Sequence, residues 1–301
     1  MERFRKVGLG DREILESLIL SLEPCSCEMN FLNIYTWQEA YDTHWCIWDG
    51  FPVIWFKNEN LLLFPGGILP EKMPPVSLLK EIAMALHGSG FPVTVNQVPS
   101  VYLEQFPEYE EFFCAEQMAD EYGEYLYSVE KLASLRGGKL AKKKNLISQF
   151  KRLYPDYSVK PYTPDQMSQC QDLARRWSES HERDKTELHE ERALQRTLDL
   201  SGALGAEGIC LYVHDELAAF SFWTRLNSET CDEHYEKANP SFKGCAQVVN
   251  QESMFAMSRA YKYVNREQDL GLEGLRHSKL SYVPEKIICN WNLILKDGVC
   301  R

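Results

Sequence analysis

Five consecutive polar residues, Asn265-Arg266-Glu267-Gln268-Asp269, follow the strand-like YKYV of residues 261–264. Their chemistry is that of an acid–base site. Glu267 or Asp269 could accept a proton or orient a nucleophile, Asn265 is a further catalytic candidate, and Arg266 could bind an anion. In an extended strand, alternation puts Asn265, Glu267 and Asp269 on one face and Arg266 and Gln268 on the other. A general base must stand beside the group it deprotonates and have a matched pKa. A salt-bridged strand end would use the same residues, so both readings stand.

Upstream, HYEKANPSFKGCAQVVNQESMFAM (His234 to Met257) reads as a strand, a tight polar turn with one glycine, and a helix. The first turn of a helix has unpaired N–H groups and favours anions. Lys243, Gly244, Cys245 and Ala246 would form such a cradle, and Asn239 could bind a phosphate or carboxylate or belong to a solvated face. A packing turn would look the same. Cys245 at a helix start could be an activated thiol, but no histidine stands at a spacing that completes a dyad, and a packed thiol fits as well. Arg276 and Lys279 lie three apart on the next helical stretch and share a face. They could hold a phosphate or carboxylate, or form a solvated face. Glu236-Lys237 could be a local charge pair, and Trp223 reads as a core aromatic.

A basic segment lies between the halves of the chain. Arg136, Lys139, Lys142, Lys143, Lys144, Lys151 and Arg152 cluster in a protein of net charge -11. Leu140, Ile147 and Phe150 give this segment an apolar stripe, so it reads as a helix ended by Pro155. Lys139, Lys142, Lys143 and Lys144 are candidates for an anionic partner: a tRNA, a cofactor phosphate or the protein's own acidic surface. A solvated helix is the plain alternative. No aromatic residues interleave in the manner that stacks single-stranded bases.

The 301 residues are 44% hydrophobic and 26% charged, which suits a globular protein with a sizeable core. The acidic balance argues against indiscriminate nucleic-acid binding. No run reaches the roughly 18 apolar residues that span a bilayer, and no export signal opens the chain, so a cytoplasmic protein is expected. The ten cysteines form no CxxC pair and are expected to be reduced or buried thiols. The histidines form no HExxH pattern, and His181 and His189 are too far apart for adjacent helical turns. No metal is expected.

The elements that must position these residues recur twice. Each half reads as β-α-α-β-β-β-α-β, with hairpins at Asp49-Gly50 and at His214-Asp215-Glu216. In the first half Gly88 and Gly90 stop a helix. In the second, Thr163 caps a helix with Pro164 at its first position. GEYLYSVEKL closes the first half and KIICNWNLIL is a single last strand. This is a mixed α/β (α+β) chain with two tandem domains, each a mixed central sheet flanked by helices. The division is residues 1–130, a basic linker helix at 131–155, and 156–301 with the working cleft.

This element order resembles the GNAT acyltransferase fold, twice in tandem. LRGGKLAKKKNLISQF (Leu135 to Phe150), HYEKAN (His234 to Asn239) and YVNREQDLGLEGLRHSKLSYVP (Tyr263 to Pro284) resemble bacterial proteins related to the C-terminal domain of phosphatidylglycerol lysyltransferase. The resemblance covers nearly the whole chain. It implies a donor phosphate held by the turn at Ser241–Ala246, although Ser241 stands where GNAT proteins have Arg or Gln. That departure counts against ordinary acetyl-CoA binding. The resemblance also implies acyl or aminoacyl transfer from acyl-CoA or aminoacyl-tRNA to an amine or hydroxyl of a small molecule or peptide. No tightly bound cofactor is implied. The donor's arm would enter where two central strands part. The lysyltransferase's membrane portion has no counterpart in this sequence, so a phospholipid acceptor does not carry over. The first half would be scaffold, with a degenerate donor site. A GNAT-fold protein that binds ligand without catalysis is the alternative from another class.

Overall fold

A computed structural model describes residues 3–87, 93–179 and 185–296. Gly88, Gly90 and His181 lie outside them. The strands, in chain order, are β1 (Arg5–Lys6), β2 (Thr43–Trp48), β3 (Phe51–Phe56), β4 (Leu61–Leu63), β5 (Thr94–Val98), β6 (Phe113–Gln117), β7 (Glu124–Ser128), β8 (Ser158–Pro161), β9 (Glu207–Val213), β10 (Glu216–Arg225), β11 (Thr230–Ala238), β12 (Tyr263–Asn265), β13 (Lys286–Ile288) and β14 (Trp291–Leu295). They make two seven-stranded mixed sheets, in the orders β1-β2-β3-β4-β5-β14-β6 and β13-β7-β12-β11-β10-β9-β8. Helices flank both, as the tandem mixed α/β reading expects.

The hairpins form where turn chemistry demands. Asp49 and Gly50 both take positive φ (47° and 85°), as do His214 and Asp215 (50° and 63°). These are the conformations a two-residue hairpin with right-twisted strands requires.

The compact units do not follow the division at 130 and 155. One comprises Met1–Glu124, Leu226–Ser228 and Ile288–Arg301, the other Tyr125–Arg225 and Glu229–Ile287. The reason is strand pairing. β7 closes the first half in sequence but pairs antiparallel with β12. The expected single last strand is two strands: β13 joins the second sheet, and β14 inserts between β5 and β6 of the first. The basic helix, Ala141–Leu153, belongs to the second unit and is no linker.

In the first unit, Val53, Trp55, Leu62, Leu79, Ile82, Val95 and Leu293 are buried together. The turn after β4 packs closely against the end of the first helix. A Cβ on Gly67 would stand 1.8 Å from the Leu22 carbonyl oxygen.

In the second unit, Phe150, Leu211, Ala219, Trp223, Val248, Val249, Met254 and Val264 form the core under the helix Cys245–Met257. Two irregularities of β11 shape this unit's polar side. β11 pairs with β12 only at Thr230–Asp232, so its remaining residues, 233–238, leave that neighbour. Beyond Asn265 the chain instead stays with β7, through Arg266 N–H to Tyr125 O and Tyr125 N–H to Glu267 O. The strands therefore fork. The second irregularity is a bulge: Phe222 opposes Tyr235 and Trp223 opposes Glu233, which leaves His234 as the extra residue.

Candidate functional site

The bulge decides which side chains meet. Residues three apart on a regular strand point to opposite faces. With His234 inserted, Glu233 and Glu236 share a face, and Arg266 bonds to both across the fork. Its Nε meets Glu233 and its other nitrogen lies 3.0 Å from Glu236. Ser221 Oγ donates to Glu233 at 2.8 Å and Asn250 Nδ2 to Glu236 at 3.0 Å. Tyr127 and Tyr282 flank the guanidinium at 5.9 and 5.5 Å. Burial pushes the Glu236 carboxyl above its ordinary value; Glu233 adds to this, and Arg266 and Asn250 oppose it. Arg266 stays fully charged, because the two carboxylates outweigh its own desolvation. This arginine is therefore committed to two glutamates and does not present a free cation to a ligand.

A second cluster gathers at His234. Its Nδ1 lies 3.1 Å from Glu267 Oε1 and 3.7 Å from Asp232 Oδ2, and its Nε2 lies 2.8 Å from Thr224 Oγ1. Asp232 is fully buried, and the Glu267 side chain is 26% exposed, so Glu267 is the cluster's door to solvent. Glu267 is held in a left-handed conformation (φ 57°). Its N–H donates to Asn265 Oδ1 at 2.9 Å, and its carbonyl accepts from Tyr125 and Lys279. A non-glycine residue at positive φ is costly and tends to mark a working position. Carboxylate, imidazole and hydroxyl stand in one row, with the carboxylate at its exposed end and the hydroxyl at its buried end. The ligand atoms of Asp232, His234 and Glu267 lie within 4.8 Å of one another, so these are also the residues that could hold a metal ion.

The expected alternation along residues 265–269 ends early. β12 stops at Asn265, and the positive φ of Glu267 and Leu270 turns the chain. Asn265 serves as the cap for Glu267 rather than as a neighbour on its face. Asp269 faces elsewhere: it accepts two bonds from Arg276, each 2.9 Å, one from Tyr125 OH at 2.6 Å and one from Gly271 N–H at 2.9 Å. Burial pushes its carboxyl up, but these hydrogen bonds outweigh burial and hold it below the ordinary range. Such a group is a poor proton acceptor. Asp269 and Arg276 tie down the loop, and Lys279, the one buried residue of its helix, bonds the Arg266 and Glu267 carbonyls. Arg276 and Lys279 are thus anchors of the Glu267 loop.

The turn at Lys243–Ala246 is backed by the basic helix. Gly244 has φ 89°, and a Cβ there would stand 2.6 Å from the Leu146 carbonyl oxygen and 3.1 Å from Phe150 Cβ. The Cys245 thiol is buried and donates to Ala218 O at 3.5 Å. Burial, then Glu236, pushes it up to about 12, the reverse of an activated thiol. From Ser241 to Ala246 three amides are taken: Ser241 by Asn239 Oδ1, Phe242 by Asn239 O and Cys245 by Phe242 O. Lys243 is exposed, while Trp223 is buried in the core.

On the basic helix and its leading turn, Lys139, Lys142 and Lys144 are exposed. Lys143 turns inward, its ammonium 4.0 Å from the Tyr282 ring centre, and burial and then Arg266 lower its pKa. Glu236 and Lys237 do not pair. Lys237 reaches Glu190 at 2.7 Å and lies 3.7 Å from the Trp177 ring centre.

Asp232, His234 and Thr224 carried no role in the sequence reading. The available signal was the polar DEH inside an otherwise strand-like stretch. Nothing in it marked the bulge.

The mixed α/β architecture and the forked second sheet place the chain in a GNAT-like class. The chain belongs to the family described as phosphatidylglycerol lysyltransferase, C-terminal, which it matches over residues 21–292. A conserved protein of unknown function from Bacteroides thetaiotaomicron is 30% identical to it, with TM-score 0.90, covering 97% of this chain and 99% of that one. The C-terminal domain of a putative lysylphosphatidylglycerol synthetase from Agrobacterium fabrum shares the fold at 14% identity and TM-score 0.67, over 97% and 93% of the two chains. An uncharacterized protein of Mycoplasmoides gallisepticum is 27% identical over 168 residues. The match spans about half of each, 54% of this chain and 53% of that protein. No helix among the described residues is long and apolar enough to cross a membrane.

Proposed function

We propose that this chain is an aminoacyltransferase, moving an aminoacyl group from aminoacyl-tRNA to an amine or hydroxyl, with the fork between β11 and β12 as its working cleft. The observation that carries this reading is the His234–Glu267 pair, with its 3.1 Å contact at the fork. His234, buried and bonded to Thr224, orients the Glu267 carboxylate. Glu267, the exposed member of the pair, takes the acceptor's proton as the acceptor attacks the ester carbonyl, and returns it to the leaving ribose hydroxyl. Arg266, fixed between Glu233 and Glu236, braces the fork. Orientation of donor and acceptor supplies much of the rate.

Two features support a tRNA donor over acyl-CoA. The donor turn has three amides already taken and is closely backed by a helix. Lys139, Lys142 and Lys144 stand exposed in the same unit, where a phosphate backbone could lie along them. The family's name, which refers to lysyl transfer, agrees.

The test is release and transfer of labelled lysine from lysyl-tRNA in the presence of candidate amine and hydroxyl acceptors. His234→Ala and Glu267→Gln are expected to slow transfer about 100-fold or more without weakening tRNA binding. Lys139→Glu/Lys142→Glu/Lys144→Glu is expected to weaken binding and to lower the log–log salt slope by about 2 to 3. Transfer that is indifferent to Glu267→Gln would overturn the acid–base assignment. Stabilisation by millimolar CoA would return the donor to acyl-CoA. Persistent tRNA binding without transfer to any acceptor would leave the binding-protein reading.

A further inference from the structure

The helices Met167–Glu179 and Lys185–Asp199, with the end of β11, line a cavity of about 170 Å³ in the second unit. That is somewhat more than the roughly 150 Å³ that takes up a benzene molecule, so the space suits a small ligand. Leu194 and Leu198, both buried, and the Trp177 ring are its apolar lining. Its charged lining is three carboxylates, Asp172, Glu190 and Glu191, and two cations, Arg175 and Lys237. His234 and Glu267 are outside it.

Lys237 is a costly residue to place here. Its side chain is 10% exposed, and its ammonium lies 2.7 Å from Glu190 and 3.7 Å from the Trp177 ring centre. A buried ion pair adds little to stability, because desolvation offsets the attraction, and apolar residues of similar volume serve a fold as well. The pair is better explained by what it can hold. Its two members differ: the lysine is fixed on a strand and buried, while the Glu190 side chain is 37% exposed. Glu190 is therefore the partner that can turn aside when another carboxylate arrives at Lys237.

Charge balance then selects the ligand. A plain anion at Lys237 would displace Glu190 and stand among carboxylates that already outnumber the cations. A plain amine at Glu190 would draw that carboxylate off Lys237 and leave a desolvated ammonium. A zwitterion strands neither group: its carboxylate meets Lys237 and its ammonium meets Glu190, so charge-assisted hydrogen bonds replace the one that opened. Because Lys237 and Glu190 are in direct contact, the two charges of the ligand must be close together, as they are on one carbon of an α-amino acid. The rest of that molecule is left to Leu194, Leu198 and Trp177, which favour an apolar or aromatic side chain.

We infer that this cavity is a binding site for a free α-amino acid with an apolar or aromatic side chain. The inference rests on the cavity alone and is independent of the aminoacyl donor and of the fork.

The experiment is isothermal titration calorimetry of the full chain with L-phenylalanine and L-leucine, beside phenylpropionate, which lacks the amine, and phenethylamine, which lacks the carboxylate. At least one of the two amino acids is expected to bind with a stoichiometry of one. Both single-charge analogues are expected to bind at least about tenfold more weakly, the loss of one charged hydrogen bond. Glu190→Gln, at the more exposed member of the pair, is expected to weaken amino-acid binding by at least about tenfold with an unchanged melting temperature, and Lys237→Met to weaken it similarly. Glu267→Gln, at the fork, is expected to leave it intact. Absence of binding by both amino acids at millimolar concentration overturns the inference. So does phenylpropionate or phenethylamine binding as well as the amino acid, or full affinity in Glu190→Gln. Loss of binding in Glu267→Gln would move the ligand to the fork and overturn it too.

Discussion

Replacing Arg266 by methionine should expose how the fork is braced. The guanidinium side chain is 13% exposed and pairs with Glu233, 1% exposed, and Glu236, 17% exposed. Methionine fills a similar volume but leaves two carboxylates on one face of a strand with no shared cation. Breaking a buried ion pair by removing one partner costs about 3–5 kcal/mol, because the remaining charge stays desolvated. The upper part of that range applies here, since two charges are stranded and they repel one another. Urea unfolding gives the loss as a shift in midpoint at constant slope, read on whichever transition moves.

The pH dependence has a definite sign. Glu236 already has a raised pKa in the folded protein, and losing Arg266 raises it further. A carboxyl with a raised folded pKa contributes stability that is fully present below its unfolded pKa and lost as pH rises through the folded value. The deficit of Arg266→Met relative to the wild type should therefore be largest near pH 8 and shrink as the pH falls toward 5. Adding Glu233→Gln and Glu236→Gln should recover most of it at pH 8. A deficit below about 1 kcal/mol, smaller than any buried pair should give, would refute the reasoning. So would a deficit that does not change between pH 8 and 5, or a triple variant no more stable than the single.

Gly244→Ala should destabilise by about 2–4 kcal/mol, since a left-handed alanine costs about 1–2 kcal/mol and the added Cβ presses on Leu146 O, 2.6 Å away; denaturant unfolding measures this, and a change under 1 kcal/mol would mean the basic helix yields freely. Cys245 should resist thiol reagents at pH 8 in the folded state, because it is buried and its pKa is pushed up to about 12. Among the described residues the exposed Cys114 and Cys289 should react before it, and peptide mapping after brief labelling decides the order. Asp269, with its depressed carboxyl, contributes stability that is present above the ordinary carboxyl pKa and lost as the pH falls through the lower folded value. Asp269→Asn should flatten the acid limb of the stability curve below about pH 4, and an unchanged limb in acid titration of the variant would contradict the bonding described.

How much was legible in the sequence differs between fold and site. Local signals set the hairpins at Asp49-Gly50 and His214-Asp215, the capped helix after Thr163, the basic helix and the repeated element order. Each depends on φ preferences, caps or hydrophobic period within a few residues. The same string that carried the family resemblance, Tyr263 to Pro284, contains Glu267 and its anchors Asp269, Arg276 and Lys279. Their division of labour was not visible, because it depends on two positive-φ residues that end the strand early.

Only the tertiary structure decided the rest. Strand pairing is non-local, so nothing near β7 or β14 in the chain announces which sheet each will join. The bulge at His234 is a matter of register between β10 and β11, and one inserted residue reverses which side chains share a face. That register brings Glu233 and Glu236 to Arg266 and sets His234 against Glu267. By itself the sequence determined the elements, the family and a polar loop rich in reactive groups. Which of those groups meet was decided by long-range pairing, whose geometry no local preference encodes.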